Sequence, residues 1–168
     1  ISKGVENLPL IEKAVKLGCN INSRSMNNIT LLMESVNYYL NTPKENIKDR
    51  ESHFEMIKEL INYGANIEAV DNNKENVLFM ATKNEDRELI NLILEKSNIN
   101  LNHQNNDGDT VLAIAVLNGM RNNDLIKIFM EHGADPTQVN DFGKSIIEIL
   151  IDIILHIQNR TELDFDYE

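Results

Sequence analysis

Tryptophan is absent from the 168 residues, cysteine occurs once and proline three times. A single cysteine cannot close an internal disulfide, so no covalent staple holds the fold. Positive charge is scarce as well: 16 Lys and Arg stand against 27 Asp and Glu, a formal net charge of −11. Phosphate recognition needs a basic footprint, so this balance argues against nucleic acid and equally against an anionic membrane surface. No run of 18 apolar residues occurs, which leaves no segment long enough to cross a bilayer as a helix. What an acidic chain favours is a protein partner with a basic surface, in approach rate more than in final affinity.

The four histidines, His53, His103, His132 and His156, share no metal-ligand spacing with one another or with Cys19. Gly143-Lys144-Ser145 has the ending of a phosphate-binding loop, but Gln138 occupies the position of the earlier glycine and no apolar strand precedes it. Asn105-Asn106-Asp107-Gly108-Asp109 has the composition of a calcium loop. In that alignment Ile114 falls where the bidentate glutamate is required, so a polar turn is the reading that stands. No catalytic, cofactor or metal residues are expected.

What the chain has is a repeated phrase. Gly18-Cys19-Asn20, Gly64-Ala65-Asn66 and Gly133-Ala134-Asp135 each close an apolar stretch, with a fainter copy at Ser97-Asn98-Ile99-Asn100. The copies begin at 18, 64, 97 and 133, so the steps are 46, 33 and 36 residues. A period near 33 marks a stacked array, whose units cannot bury their apolar faces alone.

A second phrase keeps the same register, best seen in Asp107-Gly108-Asp109-Thr110-Val111-Leu112-Ala113-Ile114-Ala115. Weaker copies begin at Asn28, Lys74 and Gly143. This pair of phrases resembles the ankyrin repeat, with Val111 in place of the family's proline and Ala113 in place of its histidine. The resemblance implies an all-α solenoid of helix-turn-helix units with projecting β-hairpin turns. About four repeats are expected after a leading half repeat: 1–27, then 28–73, 74–107, 108–142 and 143–158, with an acidic tail over 159–168.

Local chemistry agrees with that register. Thr30, Asn76, Thr110 and Ser145 stand where a side chain can cap a helix N-terminus. Gly64 and Gly133 stand just past helix ends, where a left-handed backbone costs glycine nothing. Ser35, Ala81, Ala113 and Ala115 are small enough to let neighbouring helices approach. The expected helices run over 8–17, 29–40 paired with 52–63, 75–84 with 86–96, 109–119 with 122–132, and finally 144–158.

The first full repeat carries 13 extra residues, placed at 41–51 as a surface loop. The last helix is strongly apolar for a terminus, which calls for cover from the tail or from a partner. In the tail, Leu163, Phe165 and Tyr167 alternate with acidic residues, as on one face of an extended strand.

Binding in the resembled family uses the finger tips and the exposed side of each first helix. Carried over by position, it selects Met26, Ile29 and Tyr38 in the first repeat and Val70 and Asn72 at the second finger. In the third and fourth repeats it selects Asp107, Asp109, Leu117, Asp141 and Phe142. Tyr38 and Phe142 are the expected anchors, since exposed aromatics are enriched in interface cores, and Asp107, Asp109 and Asp141 the expected acidic rim.

The implied function is non-enzymatic recruitment of a protein through the concave face, in a cytoplasmic protein. The start at Ile1 suggests a piece of a larger protein. In style the chain is also similar to the ankyrin domains of OspC-type secreted bacterial effectors, which would place it in a host cytosol with an inflammatory caspase as partner. Self-association through the apolar last helix is a third expectation.

Overall fold

Four helices open in one way. Thr30 accepts from the Met33 N–H, Asn76 from those of Leu78 and Phe79, and Thr110 from that of Ala113. Ser145 accepts from the Glu148 N–H while the Glu148 carboxylate takes the Ser145 N–H at 2.7 Å, a reciprocal capping box. Each such cap contributes about 1 kcal/mol.

The computed structural model describes residues 8–118 and 123–163. Among them eight helices form: α1 (Leu8–Lys16), α2 (Leu31–Asn41), α3 (Ile47–Asn62), α4 (Val77–Lys83), α5 (Arg87–Lys96), α6 (Val111–Leu117), α7 (Asn123–Glu131) and α8 (Ile146–Leu163). Two compact units result, Ile1–Asn100 and Leu101–Glu168.

In the first unit α2 packs against α3 and α4, and α4 against α5. Leu32 and Val36 of α2 meet a core built from Ile57, Leu60, Leu78, Phe79, Leu89, Ile90 and Ile93, all buried. In the second unit α6 packs against both α7 and α8, burying Leu112, Val116, Leu125, Phe129, Ile146 and Ile149. Ser35, Ala81, Ala113 and Ala115 are buried as expected. This is the all-α helix-turn-helix repeat architecture that the register implied.

The turns repeat as faithfully as the helices. Asn28, Lys74, Gly108 and Gly143 lead the four repeats, and all four have positive φ, between 58° and 74°. Gly18, Gly64 and Gly133 close helices in the left-handed conformation, whereas α5 ends on an extended Ser97. That difference explains why the fourth copy of the closing phrase is faint. The fingers hold single antiparallel bridges, Arg24↔Thr30 and Val139↔Ser145, and among the described residues no longer strand pairing forms.

Side chains lock each finger to the next. Asn22 accepts the Asn66 N–H at 2.7 Å, Glu68 accepts that of Asn100 at 3.1 Å, and Asn102 accepts that of Asp135 at 2.8 Å. These are one register position used three times.

The 41–51 segment departs from expectation. Its second half is helical: Asn46 caps α3 by accepting the Asp49 N–H, so the helix starts at Ile47 and not near 52. The extra residues mostly lengthen a helix, because Asn46-Ile47-Lys48-Asp49 carries its own start signal. At the other end α8 continues to Leu163, so the beginning of the expected tail is helical. Phe165 and Tyr167 lie outside the described residues.

Candidate protein-interaction surface

In the first unit the finger between Ser25 and Ile29 is closed by the Ser25 N–H to Ile29 carbonyl bond at 2.9 Å. That turn leaves Met26 fully exposed at its tip, with Asn27 exposed beside it and Ile29 half-buried below. Val70 is half-buried; its carbonyl accepts from Arg24 at 2.6 Å and from the Asn28 amide at 3.2 Å. The two fingers are therefore tied, and Met26 and Asn72 are exposed on adjoining tips.

Tyr38 is placed differently. It is exposed, but its ring centroid lies 6.2 Å from that of His53 on α3. It therefore leans on the companion helix, two turns or about 12 Å along α2 from its cap. The structure does not bring it together with Met26. Glu75 and Lys83 pair with each other at 2.6 Å, and Glu75 is buried.

In the second unit the expected residues converge. The Asp141 N–H donates to the Asp107 carbonyl at 3.1 Å, so the two tips touch. Asn140 accepts the backbone N–H groups of Phe142 and Lys144 at 3.1 Å each, which fixes the outward turn. Phe142 and Val139 project from it, both exposed, with Asp107 and Asp141 exposed alongside.

Asp109 does not join this rim. It is 8% exposed and accepts from the Asn140 amide at 3.0 Å, so its carboxylate braces the fingers from within. Leu117 is exposed at the far end of α6 and is separate from the tips.

Two carboxylates, the half-buried Asp135 and the exposed Glu148, are held below the usual range by their donors. Asp135 is lowered by the Thr137 hydroxyl and N–H and by Gln138; Glu148 is lowered by the Ser145 N–H and hydroxyl. Both bonds serve turns and caps. Among the described residues no cluster of His, Cys, Asp and Glu could hold a metal ion.

A further cluster was not anticipated. The lengthened start of α3 forms one wall of a cleft of about 480 Å³, with Tyr39, Lys44, Ile47, Arg50, Phe54 and Glu88 among its lining. Arg50 reaches Asp86 at 2.8 Å, and Ile47 is left exposed. The spacing of Asn46 and Asp49 was the available signal, masked by reading the segment as a loop.

A family profile described as ankyrin repeats matches residues 47–140 in three copies. A putative ankyrin repeat protein of Acanthamoeba polyphaga mimivirus is 35% identical over 108 residues, covering 61% of this chain and 17% of that protein. The chain thus spans less than a fifth of the length of this curated relative.

Proposed function

Because this chain belongs to the ankyrin-repeat family, a family of protein-interaction modules, we propose that it recruits a protein partner through its finger tips. The observation that carries the reading is the exposure of Met26, Val139 and Phe142. Turn formation needs only small or polar residues at these places, and the Asn140 and Ser25 bonds that set the turns use no side chain of Met26, Val139 or Phe142. Large apolar side chains there add nothing to folding and suit the desolvated centre of an interface.

Asp107 and Asp141 beside Phe142 give the second unit's tips an acidic border, which selects a partner with Lys or Arg around an apolar pocket. Recruitment of this kind requires no catalysis in this segment, and ankyrin repeats are typically non-catalytic modules. The bacterial-effector expectation, with an inflammatory caspase as partner, gains nothing from the viral relative; only the acidic balance is compatible with it.

The test is affinity capture from a eukaryotic lysate with the wild-type chain and a Met26→Ala/Phe142→Ala chain, followed by titration of the purified partner. A partner bound directly by the wild type and at least tenfold more weakly by the variant supports the reading. A partner held equally by both sinks it.

A further inference from the structure

The α2–α3 pair is longer than the α4–α5 pair stacked beside it. Arg87 opens α5 ten residues before Ser97, as Phe54 stands ten before Gly64, so residues 47–53 of α3 run ahead of the start of α5. At 1.5 Å per residue that lead is about 10 Å. In the same way α2 has 11 residues against the 7 of α4. The cleft of about 480 Å³ lies at this step, with one face of α3 as its wall and Glu88, in the first turn of α5, on the other side.

The floor of the step is braced from within. The Tyr39 and Phe54 ring centroids lie 5.3 Å apart, Arg50 covers the Tyr39 ring, and the Lys58 ammonium stands 5.4 Å from the centre of the Phe54 ring. Ile47 is different. It opens α3 at 65% exposure, and the cap there is supplied by Asn46, so helix initiation asks for nothing apolar at this place.

The charges of the lining sort into spent and unspent ones. Arg50 is paired with Asp86, and Lys58 with Glu55. Glu51 and Lys44 are exposed and have no partner among the described residues. Glu88, also exposed, meets only the Tyr39 hydroxyl among them, at 3.5 Å. Two available carboxylates therefore stand on opposite sides of the cleft, one on α3 and one on α5, beside an exposed aliphatic side chain. Against them the lining offers one available cation, Lys44, so an anionic ligand is disfavoured.

We propose that this cleft docks a basic amphipathic segment of a protein partner. Apolar side chains of the segment cover Ile47 and Phe54, while its Lys or Arg residues reach Glu51 on one side and Glu88 on the other. Lys44 repels a further cation at the entry to α3, which confines the basic residues to the part of the cleft between the two glutamates. The site uses none of Met26, Val139 and Phe142, so it stands or falls independently of the finger tips.

NMR titration of the full chain with two short helical peptides of equal length tests this. Both carry Leu along one face; one has Lys on the flanks and the other Glu. The Leu–Lys peptide shifts the amides of residues 47–54 and 87–90, and the Leu–Glu peptide binds roughly tenfold more weakly or worse. Ile47→Ser weakens the Leu–Lys peptide about fivefold. Glu51→Lys/Glu88→Lys reverses the order of the two peptides. Each substitution adds two charges, so the net charge moves only from −11 to −7, and attraction by the chain as a whole keeps its sign. Both glutamates are exposed, so folding is retained, and circular dichroism checks it. If Glu88→Lys disturbs α5, Glu51→Lys alone must still cut the preference about threefold. Met26→Ala/Phe142→Ala binds the Leu–Lys peptide as the wild type does, whatever that variant does to a partner of the tips. Shifts spread over the whole acidic surface, or gathered at the tips, overturn the proposal. So does a preference that the charge reversal leaves unchanged, or the absence of binding by the wild type.

Discussion

The guanidinium carbon of Arg50 lies 4.1 Å from the centre of the Tyr39 ring, and this contact joins the lengthened α3 to the next repeat. Arg50 donates to the carbonyls of Tyr39 and Thr42 at 3.2 and 3.3 Å and to the Asp86 carboxylate at 2.8 Å. Asp86 in turn caps α5 by accepting the Leu89 N–H at 3.0 Å, and the Tyr39 hydroxyl reaches it at 3.3 Å. One side chain thus closes the end of α2 and holds the start of α5.

Removing that side chain leaves a nearly buried Asp86 carboxylate without its cation. Breaking a buried pair from one side costs about 3–5 kcal/mol, and the partial exposure here lowers the expectation to about 2–3. Arg50→Ala should lower the first unit's stability by that amount in urea denaturation. Arg50→Lys keeps the charge but loses the planar fork, and should recover about half.

Tyr39 should betray the same cluster in alkali. Burial, and then the Asp86 carboxylate, push its hydroxyl well above the ordinary tyrosine value. A raised acid holds its proton longer folded than unfolded, so its contribution is full below about pH 10 and is lost as pH rises beyond that. The first unit should therefore weaken as pH climbs past about 10, and Tyr39→Phe should flatten that part of the stability profile. An unchanged profile in the variant would remove Tyr39 as the cause.

Much of this fold was legible because its signals are local. Thr30, Asn76, Thr110 and Ser145 cap within three residues, and Gly64 and Gly133 mark helix ends by their own backbone needs. Stacking repeats that local grammar, so register alone placed most helices. What stayed illegible depends on neighbours distant in sequence. Asp109 looks like a surface carboxylate until Asn140 covers it, and Tyr38 looks like a finger-side anchor until His53 of α3 stands beside it. Arg50 at 41–51 looked like loop because the count of extra residues was read before the Asn46 cap.

Gly108 and Gly143 allow backbone conformation to be separated from crowding. Both have positive φ, 74° and 69°, and both lead a repeat. A Cβ at Gly143 would meet nothing within 4 Å, but one at Gly108 would lie 2.4 Å from the Asp141 nitrogen. Gly143→Ala should cost about 1–2 kcal/mol, the penalty of the left-handed region alone. Gly108→Ala must also push the Asp141 finger away, breaking its bond to the Asp107 carbonyl. It should be the more damaging by about 1–3 kcal/mol, the usual range for overpacking, in denaturation of the second unit. Equal costs would mean that the tips yield freely.

Acid should act on the second unit through the cap of α8. The Glu148 carboxylate accepts the Ser145 N–H and the Ser145 hydroxyl, each at 2.7 Å, and these bonds hold it below the usual carboxylate range. A depressed acid binds fewer protons folded than unfolded, so its stabilisation is present above the unfolded value of about 4.3 and fades as pH falls through the folded one. A carboxyl NMR titration should show the Glu148 midpoint below that of an unstructured glutamate. Ser145→Ala removes the hydroxyl donor but keeps the N–H, so the midpoint should rise only part of the way back. Glu148→Gln should remove this share of the acid dependence while retaining a weaker cap, since the amide oxygen still accepts the Ser145 N–H. A midpoint at the ordinary value in the wild type would mean that the capping box is open in solution, and that α8 begins later than Ile146.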